Sequence, residues 1–347
     1  MIEEGAMNIR HIAKQAGVSV ATVSRVLNHP ENVAPKTREK IEKIIAETEY
    51  TPNWFARGLN FNKTGTIGLM IPHILNSVHM EIAKGVEDVA HQKEYIALMC
   101  NVEHDAAKEK RYLDQLIKRR VDGIIFICSS LEKKDFQLVQ EQKIPVVLIG
   151  EHKNSLGLHV VSIDCKQSAK KAVNHLLESG HEKIAMLYGT EPQIENEYKM
   201  AGYKQALKEA ELPFVRDYLR EVENTIEGGY LGAKKLAELA DPPRAIFASS
   251  DYIAFGAMDA IKDKGLKIPD DMAVMGFDNV RMSNLVEPKL TTVEVPLHKM
   301  GVYGARLLFD IIEGEEEPET EPKTILLQSK LKIRKSSGHK ERIGEMF

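Results

Sequence analysis

The sequence predicts an all-α helix-turn-helix headpiece joined to a two-lobed α/β body made of two doubly wound parallel sheets. Three observations carry that reading. Residues 8–48 hold apolar side chains at helical spacing in three short stretches. From Thr66 onward, short apolar runs alternate with amphipathic stretches: TIGLMI, YIALMC, GIIFIC, PVVLIG, HVVSI, KIAMLY, RAIFAS and MAVMGF. The chain, at 347 residues, is too long for one ordinary core and suits two or three domains.

In the headpiece, Ile9, Ile12, Ala13 and Ala16 fall at i, i+3, i+4 and i+7 and make one apolar face. Gly17 ends that helix, and Ser19 is placed to cap a second one running from Val20 to Leu27. Val23, Val26 and Leu27 point inward, which leaves Ala21, Ser24, Arg25 and Asn28 on the opposite face. Pro30 and Pro35 bracket a loop. Pro35 suits the first position of a third helix, with Ile41, Ile44, Ile45 and Thr48 as its core face. A second helix with a polar outer face fits the major groove of DNA, where its first residues reach base edges. Arg25 can donate two hydrogen bonds to one guanine, while Thr22 and Ser24 can contact phosphate or bases. Charge follows the same division. Nine Lys or Arg against five Glu give residues 8–63 a net charge of +4, although the whole chain carries −4.

Thr51 to Asn60 reads as a further helical segment, too short to be stable alone in water. The body then shows near-continuous apolar strands alternating with helices, the pattern of parallel sheets covered on both faces. Eight or more strands over about 230 residues fit two doubly wound halves better than one sheet. The boundaries read as 1–51 for the headpiece, 52–65 for a hinge and linker, and 66–347 for the body. Within the body, lobe one spans about 66–163 and 295–326, and lobe two about 164–292 and 327–337. The run EGEEEPETEP is a solvated acidic loop.

Several function classes are disfavoured. No apolar stretch reaches 18 residues, so no membrane span is expected. The first 25 residues carry Glu3, Glu4, Arg10, His11, Lys14 and Arg25, which argues against a secretory signal. The cysteines, Cys100, Cys128 and Cys165, are odd in number and far apart, as free thiols in a reducing, cytoplasmic compartment would be. The first strand is followed by LMIPHILNSVH, without the glycines a dinucleotide fold needs. P-loop, H-E-x-x-H and G-x-S-x-G motifs are missing. His73/His79 and His152/His159 lack metal-ligand spacing, so neither metal nor cofactor is expected. Asp251 and Asp278 could be imagined as a catalytic pair. Hydroxyl ligation, or for Asp251 a helix cap before YIAFGAM, is the simpler reading.

The stretches AKQAGVSVATVSRVLN and VAPKTREKIEKIIAETEYTPNWFARGL resemble the headpiece and hinge of the LacI/GalR repressors. The resemblance continues through GTIGLMIP, KRRVDGIIF, HLLESGHEKIA, SSDYIAFGAMDAI, GFDN, LTTVEVPLHKMG and LKIRKSS. It implies a DNA-binding repressor with a periplasmic-binding-protein-like body. Operator preference would be set by Val20 and Ala21, with contacts from Ser19, Thr22, Ser24 and Arg25. In the hinge, Asn53 and Ala56 match the segment that family members fold on DNA, and Leu59 matches the minor-groove wedge. The effector cleft would take Asn76, His79, Lys199, Asn224, Ser250 and Asp278. Three positions depart from the family: NSVH replaces an NPFF-like stretch, Lys199 an arginine, and Ser250-Asp251 an Asn-Asp pair.

The resemblance further implies a sugar or phosphosugar effector, the latter recruited by Lys199. IAKGVEDVA, ALKEAELPF and GFDNVRMS are similar to the catabolite-control branch, which answers to a phosphorylated carrier protein, and Arg281 sits where it could face such a partner. A homodimer on a pseudo-palindromic operator is expected, because one short helix reads too few bases for useful specificity. The tail KIRKSSGHKERIGEMF lacks apolar heptads and predicts no coiled-coil tetramer. The weaker alternatives are a sugar-binding receptor or an enzyme on the same α/β fold.

Overall fold

The computed structural model of the chain describes residues 8–28, 30–48, 63–152, 157–190, 193–314 and 321–338. These fall into two compact units divided between Thr64 and Gly65.

The first unit holds three helices, α1 (Ile9–Ala16), α2 (Val20–Asn28) and α3 (Pro35–Glu47). Asn8 caps α1, its Oδ1 accepting from the N–H groups of Arg10 and His11. Gly17 closes α1 in the left-handed region at φ +66°, where a side chain would cost about 1–2 kcal/mol. That tight stop lets α2 start three residues later. Ile12, Ala13, Ala16, Val23, Val26 and Ile41 form the core of the unit. Pro35 stands in the first turn of α3, and the Thr48 hydroxyl donates to the Ile44 carbonyl at its end. The second helix runs one residue further than the apolar period predicts, to Asn28.

The second unit contains two six-stranded sheets. The first takes β1 (Thr66–Ile71), β2 (Ile96–Asn101), β3 (Gly123–Ile127), β4 (Val146–Ile149), β5 (His159–Ile163) and β11 (Thr324–Leu327), in the order β11-β5-β4-β3-β1-β2. The second takes β6 (Ile184–Gly189), β7 (Leu219–Val222), β8 (Ala245–Ala248), β9 (Ala273–Asp278), β10 (Thr291–Glu294) and β12 (Lys330–Lys332), in the order β12-β10-β9-β8-β6-β7. Every neighbouring pair is parallel except β10 with β12. Each of the apolar runs read from the sequence became a strand. Ile, Val and Leu on both faces suit strands covered by helices above and below.

The chain passes between the sheets three times: from β5 into α7 (Cys165–Glu178), from β10 into α11 (Leu297–Glu313), and from β11 to β12. Helix α11 returns to the first lobe and packs on α4 (Ser77–Gln92), β3, β4 and β5. In the second lobe α7 packs on α8 (Gln193–Glu209), and α9 (Ile226–Leu236) on α10 (Asp251–Asp263). The α9–α10 contact is so close that a Cβ at Gly256 would run into the Ile226 carbonyl oxygen. Helices α5 (Ala106–Lys118) and α6 (Gln137–Glu141) complete the first lobe.

One local expectation is corrected. The residue that caps α10 is Ser250, whose Oγ accepts from the Ile253 N–H at 3.3 Å. Asp251 lies one position inside the helix and is fully buried. Its carboxylate accepts from the Val280 N–H (2.8 Å), the Ser283 hydroxyl (2.5 Å) and the Thr292 hydroxyl (2.6 Å). A cap must sit in extended backbone outside the helix, and only Ser250 does.

Candidate functional site

Two surfaces carry the residues singled out in the sequence. On the headpiece, Ser19, Val20, Ala21 and Arg25 are exposed, and Thr22 and Ser24 are half-buried. Ser19 caps α2, its Oγ accepting from the Thr22 N–H at 3.1 Å and lying 2.9 Å from the Thr22 hydroxyl. The two hydroxyls therefore fix the start of the helix as well as lining its outer face. Arg25 lies in the last turn, where its charge also suits the negative end of the helix dipole. Asn28 ends α2. Asn53, Ala56 and Leu59 lie outside the described residues.

The second surface is a cavity between the two lobes. Asn76, His79, Lys199, Asn224, Ser250 and Asp278 all line it, although they come from five separate stretches of chain. Asn76 caps α4, its Oδ1 accepting from the Val78 N–H at 2.9 Å. His79, one turn later, is buried, with Nδ1 3.2 Å from the His73 carbonyl oxygen. Burial presses its pKa down to about 4, against a smaller upward pull from that hydrogen bond, so the ring is neutral at pH 7.

Lys199 is only 3% exposed. Its ammonium donates to the Ser249 carbonyl at 3.1 Å, lies 3.5 Å from the Glu195 carboxylate, and sits 4.1 Å from the centre of the Phe277 ring. Burial alone would drive its pKa down. The carboxylates of Glu195 and Asp278 outweigh burial and hold the pKa above the ordinary lysine value. Asp278 ends β9 at φ +113°, followed by Asn279 at φ +59°. Such backbone is costly outside glycine, and here it turns the chain at the cavity wall. Burial pushes the Asp278 carboxyl well above the usual carboxylate range, with Lys199 pulling the other way.

Sequence reading missed several lining residues. Glu195, one helical turn before Lys199, reaches across the lobes and accepts from the Cys128 thiol at 3.3 Å. Asn196 donates to the Gly189 carbonyl at 2.7 Å. Tyr252 meets Ser77 of the other lobe, hydroxyl to hydroxyl, at 3.1 Å. The i, i+4 spacing of Glu195 and Lys199 was a visible signal for their pairing. Nothing local in the sequence announces the Ser77–Tyr252 or Cys128–Glu195 contacts, which bridge residues far apart in the chain. Among the described residues, no cluster of His, Cys, Asp and Glu fit to hold a metal ion is found, and no helix is long and apolar enough to cross a membrane.

The family model described as bacterial regulatory proteins, lacI family, matches residues 8–53. The model described as periplasmic binding proteins and sugar binding domain of LacI family matches residues 64–335. The chain belongs to the LacI family.

Among LacI-family relatives, catabolite control protein A of Priestia megaterium is 38% identical over 310 residues, covering 89% of this chain and 93% of that protein. The transcriptional repressor CytR of Escherichia coli strain K12 is 33% identical over 314 residues, covering 90% and 92%. The lac repressor dimer bound to operator and the anti-inducer ONPF superimposes with a TM-score of 0.85 at 25% identity, covering 95% of this chain and 99% of that one. The CelR–cellobiose complex superimposes with a TM-score of 0.72 at 28% identity, covering 95% and 99%. This LacI-family chain is thus a DNA-binding transcriptional regulator of the repressor kind. It has an effector-binding body of the family's sugar-binding-domain kind.

Proposed function

We propose that this regulator works as a cytoplasmic homodimer, each copy placing α2 in one half of a pseudo-palindromic operator. Val20 and Ala21 read bases from the start of the helix, Arg25 grips a guanine, and Ser19, Thr22, Ser24 and Asn28 fix the approach. Asn53, Ala56 and Leu59 act in the adjoining minor groove, Leu59 as the wedge that bends the duplex. The effector occupies the cavity lined by Asn76 and His79 from one lobe and Lys199, Asn224, Ser250 and Asp278 from the other. A ligand touching both walls fixes one lobe angle, and three chain crossings act as the hinge. The observation that carries the reading is this inter-lobe cavity, with polar side chains from both lobes meeting across it.

Dimerisation is supported by exposed apolar side chains on the edge strand β2, where Ile96 is 66% and Met99 47% exposed, and near β9, where Leu285 is 74% exposed. An unpaired apolar edge of this kind is normally covered, and a second copy of the chain would cover it. A second reading, control by a phosphorylated carrier protein, is favoured by Arg281, exposed in the turn after β9. A gel shift on palindromic DNA tests the whole scheme. Binding as a dimer, with affinity altered by a small molecule, is expected. Alteration only by the phosphorylated carrier would favour the second reading, and no binding to DNA would overturn both.

A further inference from the structure

Several of the cavity's side-chain donors are already committed. The Lys199 ammonium is spent on the Ser249 carbonyl, Glu195 and the Phe277 ring. The Ser250 hydroxyl donates to Asn224 Oδ1 at 2.6 Å, and the Ser162 hydroxyl to the Ile163 carbonyl at 3.1 Å. The Asn196 amide donates to the Gly189 carbonyl, and the Cys128 thiol to Glu195. Of the helices that start at this cavity, α4, α7 and α10 have a first-turn N–H held by their own caps, Asn76, Asp164 and Ser250, whereas α11, starting at Leu297, has no side-chain cap.

Acceptors, by contrast, remain. The His73 carbonyl can only accept, so Nδ1 of His79 carries the ring proton and Nε2 keeps its lone pair. Among the described residues, no donor hydrogen-bonds the Asp278 carboxylate, on which Lys199 acts only through space. Glu195 adds a second carboxylate to the same wall. Among the described residues lining the cavity, Lys199 is the one Lys or Arg, and its charge is already paired.

We propose that the effector is a hydroxyl-rich small molecule bearing an ammonium group, of amino-sugar chemistry, and that the cavity turns phosphorylated sugars away. The inference rests on the cavity being the effector site. The ammonium docks on Asp278, its remaining protons and the ligand hydroxyls donate to Glu195 and His79 Nε2, and the apolar edge packs near Phe277 and Met300. A phosphoryl dianion in the same place would face the carboxyl groups of Asp278 and Glu195 and, among the described lining residues, find no uncommitted cation, a strong penalty in a site shielded from water. A neutral sugar could enter but would forgo the charge-assisted bond that an ammonium makes with Asp278.

The test is calorimetric titration of the full-length protein with matched trios. Glucose, glucosamine and glucose 6-phosphate form one, and the galactose and mannose series form two more. In the best-bound series the amino member should bind about tenfold or more tightly than its neutral parent, the yield of one charge-assisted hydrogen bond, and the phosphate should bind weakest. The Asp278→Asn variant, whose amide tolerates the left-handed backbone, should lose that preference. Tighter binding of a neutral or phosphorylated member would overturn the ligand class while leaving the cavity as the effector site. Failure of all nine compounds to bind would overturn both.

Discussion

At the residue scale, burial and neighbouring groups set the chemistry of the cavity residues His79 and Lys199. Arg25 stands exposed in the last turn of α2, and its fork geometry suits a two-pronged contact with a guanine edge. Arg25→Ala should weaken operator binding by about 1–3 kcal/mol and relax preference at one base position, while random DNA is affected less. Anisotropy titrations on operator and scrambled duplexes check this, and equal losses on both would remove Arg25 from base reading. His79 makes a different prediction. Its folded pKa of about 4 lies below the ordinary histidine value of 6.5, so the native state favours the neutral ring. That stability is present above pH 6.5 and is lost as pH falls toward 4, by up to about 3 kcal/mol. Asp251, raised to about 6 by burial, works in the opposite sense, since its native carboxyl holds a proton the unfolded chain releases. Urea melts should therefore compare wild type with His79→Gln. The wild type should lose ground to the variant between pH 7 and pH 4.5, and parallel curves would contradict the buried neutral imidazole.

At the element scale, the legible parts were those with a strong period. The headpiece helices and the central strands carry uniform apolar faces, and each appeared where its pattern lay. The strands missing from that reading were β7, β10, β11 and β12. Three of them are edge strands with alternating or mostly polar faces, LREV, TILL and KLK, whose short lengths hold no clear signal. The fourth, TTVE, buries two threonines by hydrogen-bonding both hydroxyls inside the lobe, which composition alone does not reveal. The cavity residues were legible only through family resemblance, since lining positions are scattered over loop and helix starts. Close helix crossings are equally silent in a sequence. Gly256→Ala, which drives a methyl group into the Ile226 carbonyl of α9, should destabilise the body by about 1–3 kcal/mol. Thermal melts would show it as a lowered midpoint, and an unchanged midpoint would mean that the two helices separate freely.

At the scale of the whole molecule, a DNA-reading unit is joined in one chain to a body whose two lobes meet across a polar cavity. If β2 is a dimer edge, Ile96→Lys should shift the protein toward monomer in light scattering and weaken operator binding with it, because one half-site gives too little affinity alone. A variant that stays dimeric would move the interface elsewhere. The coupling between cavity and operator equals the ligand's difference in affinity for the two lobe angles, commonly about 1–3 kcal/mol. Asp278, strained at φ +113° on the cavity wall, is the residue on which that difference should most depend. The most direct test measures operator affinity with and without saturating effector, for the wild type and for Asp278→Ala. The account predicts that effector changes the wild-type affinity about fivefold or more while Asp278→Ala binds operator and ignores effector. A variant that answers the effector as the wild type does would contradict it.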